Sequence, residues 1–188
     1  MLTARHCRID KTTRVVFADG SSYKITRYFV PRVRVTNDDD EHDLALIKID
    51  GEVAGPVAEI ASEAMIPPNG SYAWTVGYGG KRLTKRSNRL RRLAVRILDR
   101  DYSSSAITVR AEANGAVCDG DSGGPGYIEI DNKVVLWGID SASMHGDAKC
   151  SSRELYAKVS SEYDWIRKTI AAGPGAWPVQ QRGAVSGH

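Results

Sequence analysis

Cys118-Asp119-Gly120-Asp121-Ser122-Gly123-Gly124-Pro125 is the stretch that says most about the fold of this 188-residue chain. A serine stands between glycines and beside an aspartate, a pattern that predicts a tight turn. Glycines have no Cβ, so they permit a sharply bent backbone and close approach by a substrate. Such a turn can aim two backbone N–H groups at one point while exposing the Ser122 hydroxyl, which is the geometry of an oxyanion hole. Taken alone, a Gly/Asp/Ser cluster is typical of an ordinary loop.

Two further segments argue against an ordinary loop. His6 stands near the start of the chain, and Asp43 directly precedes the apolar run 44–47. The chain order His, Asp, Ser is one of the orders known for a catalytic triad. Each residue alone has a simpler explanation, because His6 can be a surface histidine and Asp43 can end the solvated acidic run 38–41. That run can also bind calcium, but it lacks EF-hand spacing. A carboxylate at the mouth of a buried strand can be desolvated and positioned, which favours Asp43.

With these segments in this order, the chain resembles the trypsin/chymotrypsin family of serine endopeptidases. The resemblance extends, with gaps, from residue 1 to about residue 172. Two weaker segments add to it. Trp74-Thr75-Val76-Gly77-Tyr78-Gly79 is similar to the Gly-aromatic-Gly strand that opens the second barrel of the family, and Val159-Ser160-Ser161-Glu162-Tyr163-Asp164-Trp165-Ile166 is similar to its C-terminal helix.

The resemblance implies a role for each member of the triad. Ser122 is the expected nucleophile, His6 the general base and then general acid, and Asp43 the carboxylate that orients the imidazole. A serine hydroxyl needs such a base, because it is a poor nucleophile at neutral pH. The backbone N–H groups of Gly120 and Ser122 are the expected oxyanion donors.

Short β-rich segments separated by turn residues predict barrels. Strands are predicted near residues 14–17, 23–25, 33–35, 44–49, 72–77, 93–98, 106–110, 125–130, 134–140 and 155–159, with a hairpin signal at Asp19-Gly20. The resemblance implies an all-β, chymotrypsin-like fold of two six-stranded β-barrels, the first incomplete, followed by a C-terminal α-helix. The expected units are residues 1–62 of the first barrel, 63–160 as the second barrel, helix 161–172 and a disordered tail 173–188.

The predicted helix is amphipathic, with Trp165, Ile166 and Ile170 on one side.

Three cysteines bear on the compartment. Cys118 and Cys150 match family positions that form a disulfide across the specificity pocket. Cys7 matches one whose partner normally lies upstream of the histidine. Three free buried thiols in a cytosolic protein are the alternative. Disulfides would place the protein outside the cytoplasm, secreted or in a bacterial periplasm, although no signal peptide opens the chain.

Asp121 raises a question about the start of the chain. In the family this carboxylate pairs with a freshly cut N-terminal ammonium, which orders the oxyanion turn. Met1 is too close to His6 to reach Asp121, and strands that normally precede the histidine are missing. The chain therefore reads as a fragment or a shortened reading frame, or as a variant that orders its site another way. An unpaired buried carboxylate would be costly or would take up a proton.

The resemblance also indicates which residues bind the substrate side chain. Ala116 falls at the pocket base, where trypsin-like enzymes carry an aspartate, so the simple source of specificity for basic residues is absent. Glu154 falls near a back-wall position that is usually glycine, where a carboxylate can attract Lys or Arg unless Arg153 neutralises it. Apolar and basic preferences both remain open. The remaining expected pocket residues are Val117, Ser141, Ala142 and Ser143, of which Ser141 is also placed to support Asp43.

Composition excludes several classes. The chain is 41% hydrophobic with net charge +3, and it has no run of 18 apolar residues that would span a membrane. Most of the local positive charge lies in 81–92, which favours a solvated loop over a nucleic-acid site, because aromatic residues for base stacking are absent. No metal or other cofactor is expected. We predict a monomeric endopeptidase acting on proteins or peptides, with an inactive fragment or non-catalytic homologue serving as a binding module as the alternative.

Overall fold

Four antiparallel strands form the first of two main sheets. The structure is a computed structural model that describes residues 1–7, 9–10, 12–31, 42–79, 89–144 and 150–173. The four strands lie in the order β1-β4-β3-β2. The predicted hairpin is present, since β2 and β3 pair on either side of Asp19-Gly20. The sheet amounts to half a barrel, as expected of an incomplete first barrel. Its strands are β1 (Leu2–Thr3), β2 (Arg14–Val16), β3 (Ser22–Phe29) and β4 (Ala45–Ile49).

Six antiparallel strands form a closed barrel in the second unit. Their order is β10-β6-β7-β8-β13-β11, and pairing of β10 with β11 closes the ring. Two shorter strands, β9 and β12, pair separately beside it. A further short strand, β5 (Glu59–Ile60), adds in parallel to β11. The remaining strands are β6 (Tyr72–Gly77), β7 (Arg91–Asp99), β8 (Ala106–Ala111), β9 (Val117–Cys118), β10 (Pro125–Ile130), β11 (Lys133–Ser143), β12 (Cys150–Ser151) and β13 (Arg153–Lys158).

Two apolar clusters hold these parts together. Trp137 and Tyr156 are fully buried inside the barrel with their ring centroids 5.0 Å apart, and the Tyr156 hydroxyl donates to Thr75 Oγ1 at 2.9 Å. The second cluster joins the first sheet to the barrel and the helix, which fixes the cleft between the two sheets. Its buried members are Ala4, Phe29, Leu44, Leu46, Leu136, Ile139, Ala157, Val159 and Ile166.

The C-terminal helix begins later than its sequence pattern predicts. A 3-10 turn covers Val159–Glu162, and α1 covers Tyr163–Ala171. Ile166 is fully buried, whereas Ile170, one turn further along the helix, is 56% exposed. The apolar cluster that receives the helix ends one turn earlier, at Ile166.

Some sequence predictions lie outside the described residues. These are the strand at 33–35, the acidic run 38–41, most of the basic stretch 81–92 and all but the first residue of the tail 173–188. Within the described ranges, no helix has the length and apolar character needed to cross a membrane.

Candidate active site

The pairing of β1 with β4 brings His6 and Asp43 together. Thr3 lies opposite Ala45, so the 3-10 turn Arg5–Cys7 after β1 meets the residues that lead into β4. His6 Nδ1 lies 2.6 Å from Asp43 Oδ2, and the His6 backbone N–H donates to Asp43 Oδ1 at 2.8 Å. Asp43 is buried, whereas 44% of the His6 side chain is exposed. A buried acid thus contacts the Nδ1 edge of an imidazole that is partly exposed.

Ser141 supplies a third hydrogen bond to the Asp43 carboxylate. Its Oγ donates to Asp43 Oδ2 at 2.7 Å. Ser141 belongs to β11 of the closed barrel, so this contact also links the two sheets across the cleft. A buried carboxylate is costly without donors, and Asp43 is surrounded by donors from the backbone, the imidazole and a hydroxyl.

The turn around Ser122 is held by its own backbone. Asp121 N–H donates to Cys118 O at 2.9 Å and Gly124 N–H to Asp121 O at 2.8 Å. Gly123 has φ +78°, and a Cβ there would overlap Thr3 and Cys7 beside His6, so a glycine is required. The turn therefore packs directly against the segment that carries the imidazole.

Ser122 lies between that segment and a cavity. The Cys7 thiol, adjacent in sequence to His6, donates to Ser122 O at 3.6 Å. Ser122 also lines the cavity together with Ser141, whose hydroxyl contacts Asp43. Cys7 is a free thiol, and its burial raises its pKa, so it is less readily ionised than an ordinary cysteine.

Asp121 is not unpaired, contrary to the concern raised by the sequence. Its carboxylate accepts the Gly79 N–H at 2.7 Å and the Cys118 N–H at 2.9 Å. A Cβ at Gly79 would overlap this carboxylate, so the close approach needs a glycine. The Met1 ammonium instead donates to Ile47 O at 2.9 Å. Two backbone amides of the described residues therefore hold the Asp121 carboxylate in this turn.

The cavity beside Ser122 has a volume of about 60 Å³. Five of the six residues that are expected to bind substrate line this cavity. The sixth, Ala116, does not line it. Two acids, Asp140 and Asp119, complete the wall together with Cys118 of the disulfide. The five expected residues are Val117, Ser141, Ala142, Ser143 and Glu154.

The disulfide expected from the resemblance is confirmed. Cys118 is bonded to Cys150, and the two residues lie opposite each other where β9 pairs with β12. The bond anchors the residue that begins the Ser122 turn and borders the cavity.

Two buried carboxylates dominate the electrostatics of the cavity. Burial, reinforced by the negative charges of Asp121 and Asp43, raises the pKa of Asp140 to about 7, although the Ser141 N–H opposes the shift. Burial, reinforced by Asp140, raises the pKa of Glu154 to about 8, although a hydrogen bond from Ser151 opposes it. Both acids therefore resist ionisation, since they share a poorly solvated space with like charge.

Sequence reasoning missed two of these features. Asp140 has a signal in the sequence, because it directly follows the buried run 135–139 and charged residues are rarely fully buried unless they are paired. The sequence around Asp43 gives no signal for the contact of its neighbour His42, whose Nδ1 lies 2.8 Å from Glu162 Oε1. In the described part of the chain, no cluster of residues has the composition of a metal site.

The closed barrel, the half-barrel sheet and the C-terminal helix are the chymotrypsin-like fold, in which the described His, Asp and Ser lie at the junction of the two sheets. The chain belongs to the trypsin family of serine peptidases, because the family model described as Trypsin matches residues 1–166. Spermosin from Halocynthia roretzi is 29% identical over 197 aligned residues, which cover 88% of this chain and 50% of that protein. The chain thus spans about half the length of this curated relative.

Proposed function

We propose that this protein is a serine endopeptidase that hydrolyses peptide bonds through His6, Asp43 and Ser122. The observation that carries the proposal is the hydrogen-bonded array in which Asp43 accepts from His6 Nδ1 and from Ser141 Oγ beside the Ser122 turn. Trypsin-family membership supports the same chemistry.

Asp43 selects the imidazole tautomer that the reaction needs. With the proton on Nδ1 donated to Asp43, the Nε2 atom is left with its lone pair, ready to accept the Ser122 proton. The Ser122 oxygen then forms a bond to the carbonyl carbon of the scissile peptide, and the resulting imidazolium is stabilised by the Asp43 carboxylate. His6 returns the proton to the leaving amine as the C–N bond breaks, which gives the acyl-enzyme. Water, deprotonated by His6, hydrolyses that ester and regenerates Ser122.

The oxyanion that forms during each attack requires donors. Among the described residues, neither the Gly120 N–H nor the Ser122 N–H donates to a backbone carbonyl, so both groups are available. Gly120 has φ +96°, a conformation that turns the peptide as an elbow requires. Losing one such donor typically costs about 3–4 kcal/mol of transition-state stabilisation.

We infer protein or peptide substrates, a monomeric enzyme and a compartment outside the cytoplasm, secreted or periplasmic. The Cys118–Cys150 disulfide supports an oxidising compartment. The proposed steps use only side chains and backbone groups of this chain, and none requires a metal or organic cofactor.

Labelling with a fluorophosphonate tests the proposed nucleophile. The probe phosphonylates an activated serine and releases fluoride, so we expect labelling of the parent protein, none of Ser122→Ala, and unchanged labelling of Ser104→Ala, an exposed serine. Cleavage of a casein substrate should follow the same pattern. A folded parent protein that is neither labelled nor active would contradict the proposal and leave the non-catalytic homologue as the better description.

A further inference from the structure

Two buried acidic residues line the cavity beside Ser122. Asp140 and Glu154 both line it, and their exposed fractions are 3% and 4%. Asp140 Oδ1 is buried with no hydrogen-bond partner among the described residues. Buried polar atoms are nearly always paired, so the negative charge of Asp140 lacks donors that would stabilise it and favours a cation in the cavity that Asp140 lines.

The strands aim both acids at the same space. Asp140 lies opposite Tyr156 in the β11–β13 pairing, and Glu154 lies two residues before Tyr156 on the same face of β13. Arg153 alternates to the other face and is exposed, and no ion pair joins a described cation to Asp140 or Glu154. The described charges that act on Asp140 are the carboxylates of Asp121 and Asp43, so the cavity has a net negative field.

We propose that Asp140 and Glu154 are the specificity-determining residues of this enzyme and bind the side chain of a lysine or arginine at P1, the residue on the acyl side of the scissile bond. This inference rests on the proposed endopeptidase function. It places the counter-charge on the back walls of the pocket, on β11 and β13, instead of at Ala116, which carries no charge and does not line the cavity.

A cation suits this site better than an apolar side chain does. An ammonium or guanidinium group supplies several N–H donors to the two carboxyl groups that line the cavity. It also neutralises two acids that otherwise repel each other in poorly solvated surroundings, which is the condition under which charge-assisted hydrogen bonds are strongest. The volume of about 60 Å³ admits the slender end of such a side chain.

A matched pair of peptides isolates the contribution of the charge. Two dye-labelled peptides would be titrated into the Ser122→Ala protein, one with lysine at P1 and one with norleucine, which keeps the chain length but lacks the ammonium group. At pH 8.5 we expect the lysine peptide to bind at least about tenfold more tightly. The preference should shrink as the pH falls below 7, because Asp140 and Glu154 then take up protons. Equal binding of the two peptides, or tighter binding of norleucine, would overturn the inference.

Variants identify the responsible residues. Glu154→Gln and Asp140→Asn keep the shape of each side chain, and the control Glu129→Gln removes an exposed acid of β10. In the active enzyme, each pocket variant should lower kcat/KM for peptide amides with Arg or Lys at P1 by about 30-fold or more, and leave that for a P1 Leu amide within about threefold. The control should change neither. Losses that are equal for all P1 residues would assign the two acids to structure alone.

These measurements separate the two proposals. If fluorophosphonate fails to label Ser122 while the lysine peptide still outcompetes norleucine, the endopeptidase proposal fails and cation recognition by the cavity stands. If labelling succeeds and the lysine preference is absent, the endopeptidase stands and the specificity assignment fails. Where a pocket variant does not fold, the peptide titration into Ser122→Ala decides the matter by itself.

Discussion

Asp43 and Asp140 are both buried and both lie beside Ser141 of β11, yet their surroundings differ sharply. Asp43 is 7% exposed and accepts hydrogen bonds from His6 N, His6 Nδ1 and Ser141 Oγ. Asp140, the neighbour of Ser141, is 3% exposed, and its Oδ1 has no hydrogen-bond partner within the described part of the chain. The number of hydrogen-bond donors, and not the depth of burial, therefore distinguishes the two acids.

The largest effect should come from replacing Asp43, the acid that accepts three hydrogen bonds. Asp43→Asn keeps the shape of the side chain but offers an amide group where His6 donates, which favours the wrong imidazole tautomer. We expect kcat to fall by about 10⁴-fold with little change in KM. Steady-state kinetics on a peptide amide would measure this, with circular dichroism as a check on folding. A variant that retained a tenth of the parent rate would show that Asp43 does not orient His6.

The second largest effect should come from removing the Cys118–Cys150 disulfide, which borders the cavity that Asp140 lines. Replacing Cys118 and Cys150 by alanine removes a cross-link between residues 32 positions apart, and the chain-entropy model gives a loss of about 3–4 kcal/mol in the free energy of unfolding. Urea denaturation would measure it, with Cys7→Ala as the control that removes a free thiol. Because Cys118 begins the Ser122 turn, the rate of fluorophosphonate labelling should also fall. A double variant as stable as its parent would show that the turn is held without the bond.

Asp140→Asn tests the acid that has few donors, because the effect of this substitution on the free energy of unfolding should depend on pH. The folded-state pKa of Asp140 is raised to about 7, so between about pH 4 and pH 7 the folded protein keeps a proton that the unfolded chain has lost. The contribution of Asp140 to stability is therefore greatest at low pH and is lost as the pH rises through this window. Relative to its parent, the Asn variant should gain on the order of 2–4 kcal/mol between pH 4 and pH 8.

Urea denaturation at pH 4, 5.5, 7 and 8.5 would measure this difference, with Glu129→Gln as the control for removal of an exposed acid. A difference between Asp140→Asn and its parent that stays constant with pH would mean that Asp140 is ionised in the folded protein throughout.

Much of the fold could be predicted because its signals are local. The strands near 72–77 and 125–130 have the expected bounds, since alternation and turn residues mark both ends. The order of His6, Asp43 and Ser122, with the glycine turn, was enough to indicate the family, and the Cys118–Cys150 bond followed from it.

What the sequence did not predict depends on contacts between distant strands. The donors to Asp121 come from Gly79 and Cys118, which meet only when β6 lies beside the turn after β9. Asp140 faces Glu154 only because β11 pairs with β13. Helical periodicity places Ile170 on the same side as Ile166 but cannot tell where the apolar surface that receives the helix ends.

The smallest effect should come from replacing Ser141, which follows Asp140 in the chain and donates a hydrogen bond to Asp43. Ser141→Ala removes a single donor from Asp43 while the two contacts from His6 remain, so the acid stays in place but is held less firmly. A hydrogen bond to a charged group contributes about 1.5 kcal/mol at the lower end, which corresponds to about a tenfold loss in kcat. The loss should fall mainly on kcat, because the Ser141 hydroxyl acts through Asp43 and His6. Ser141→Thr retains a hydroxyl and should restore most of the rate, whereas a purely structural role would give equal losses in both variants, and Ser104→Ala should leave kcat at the parent value.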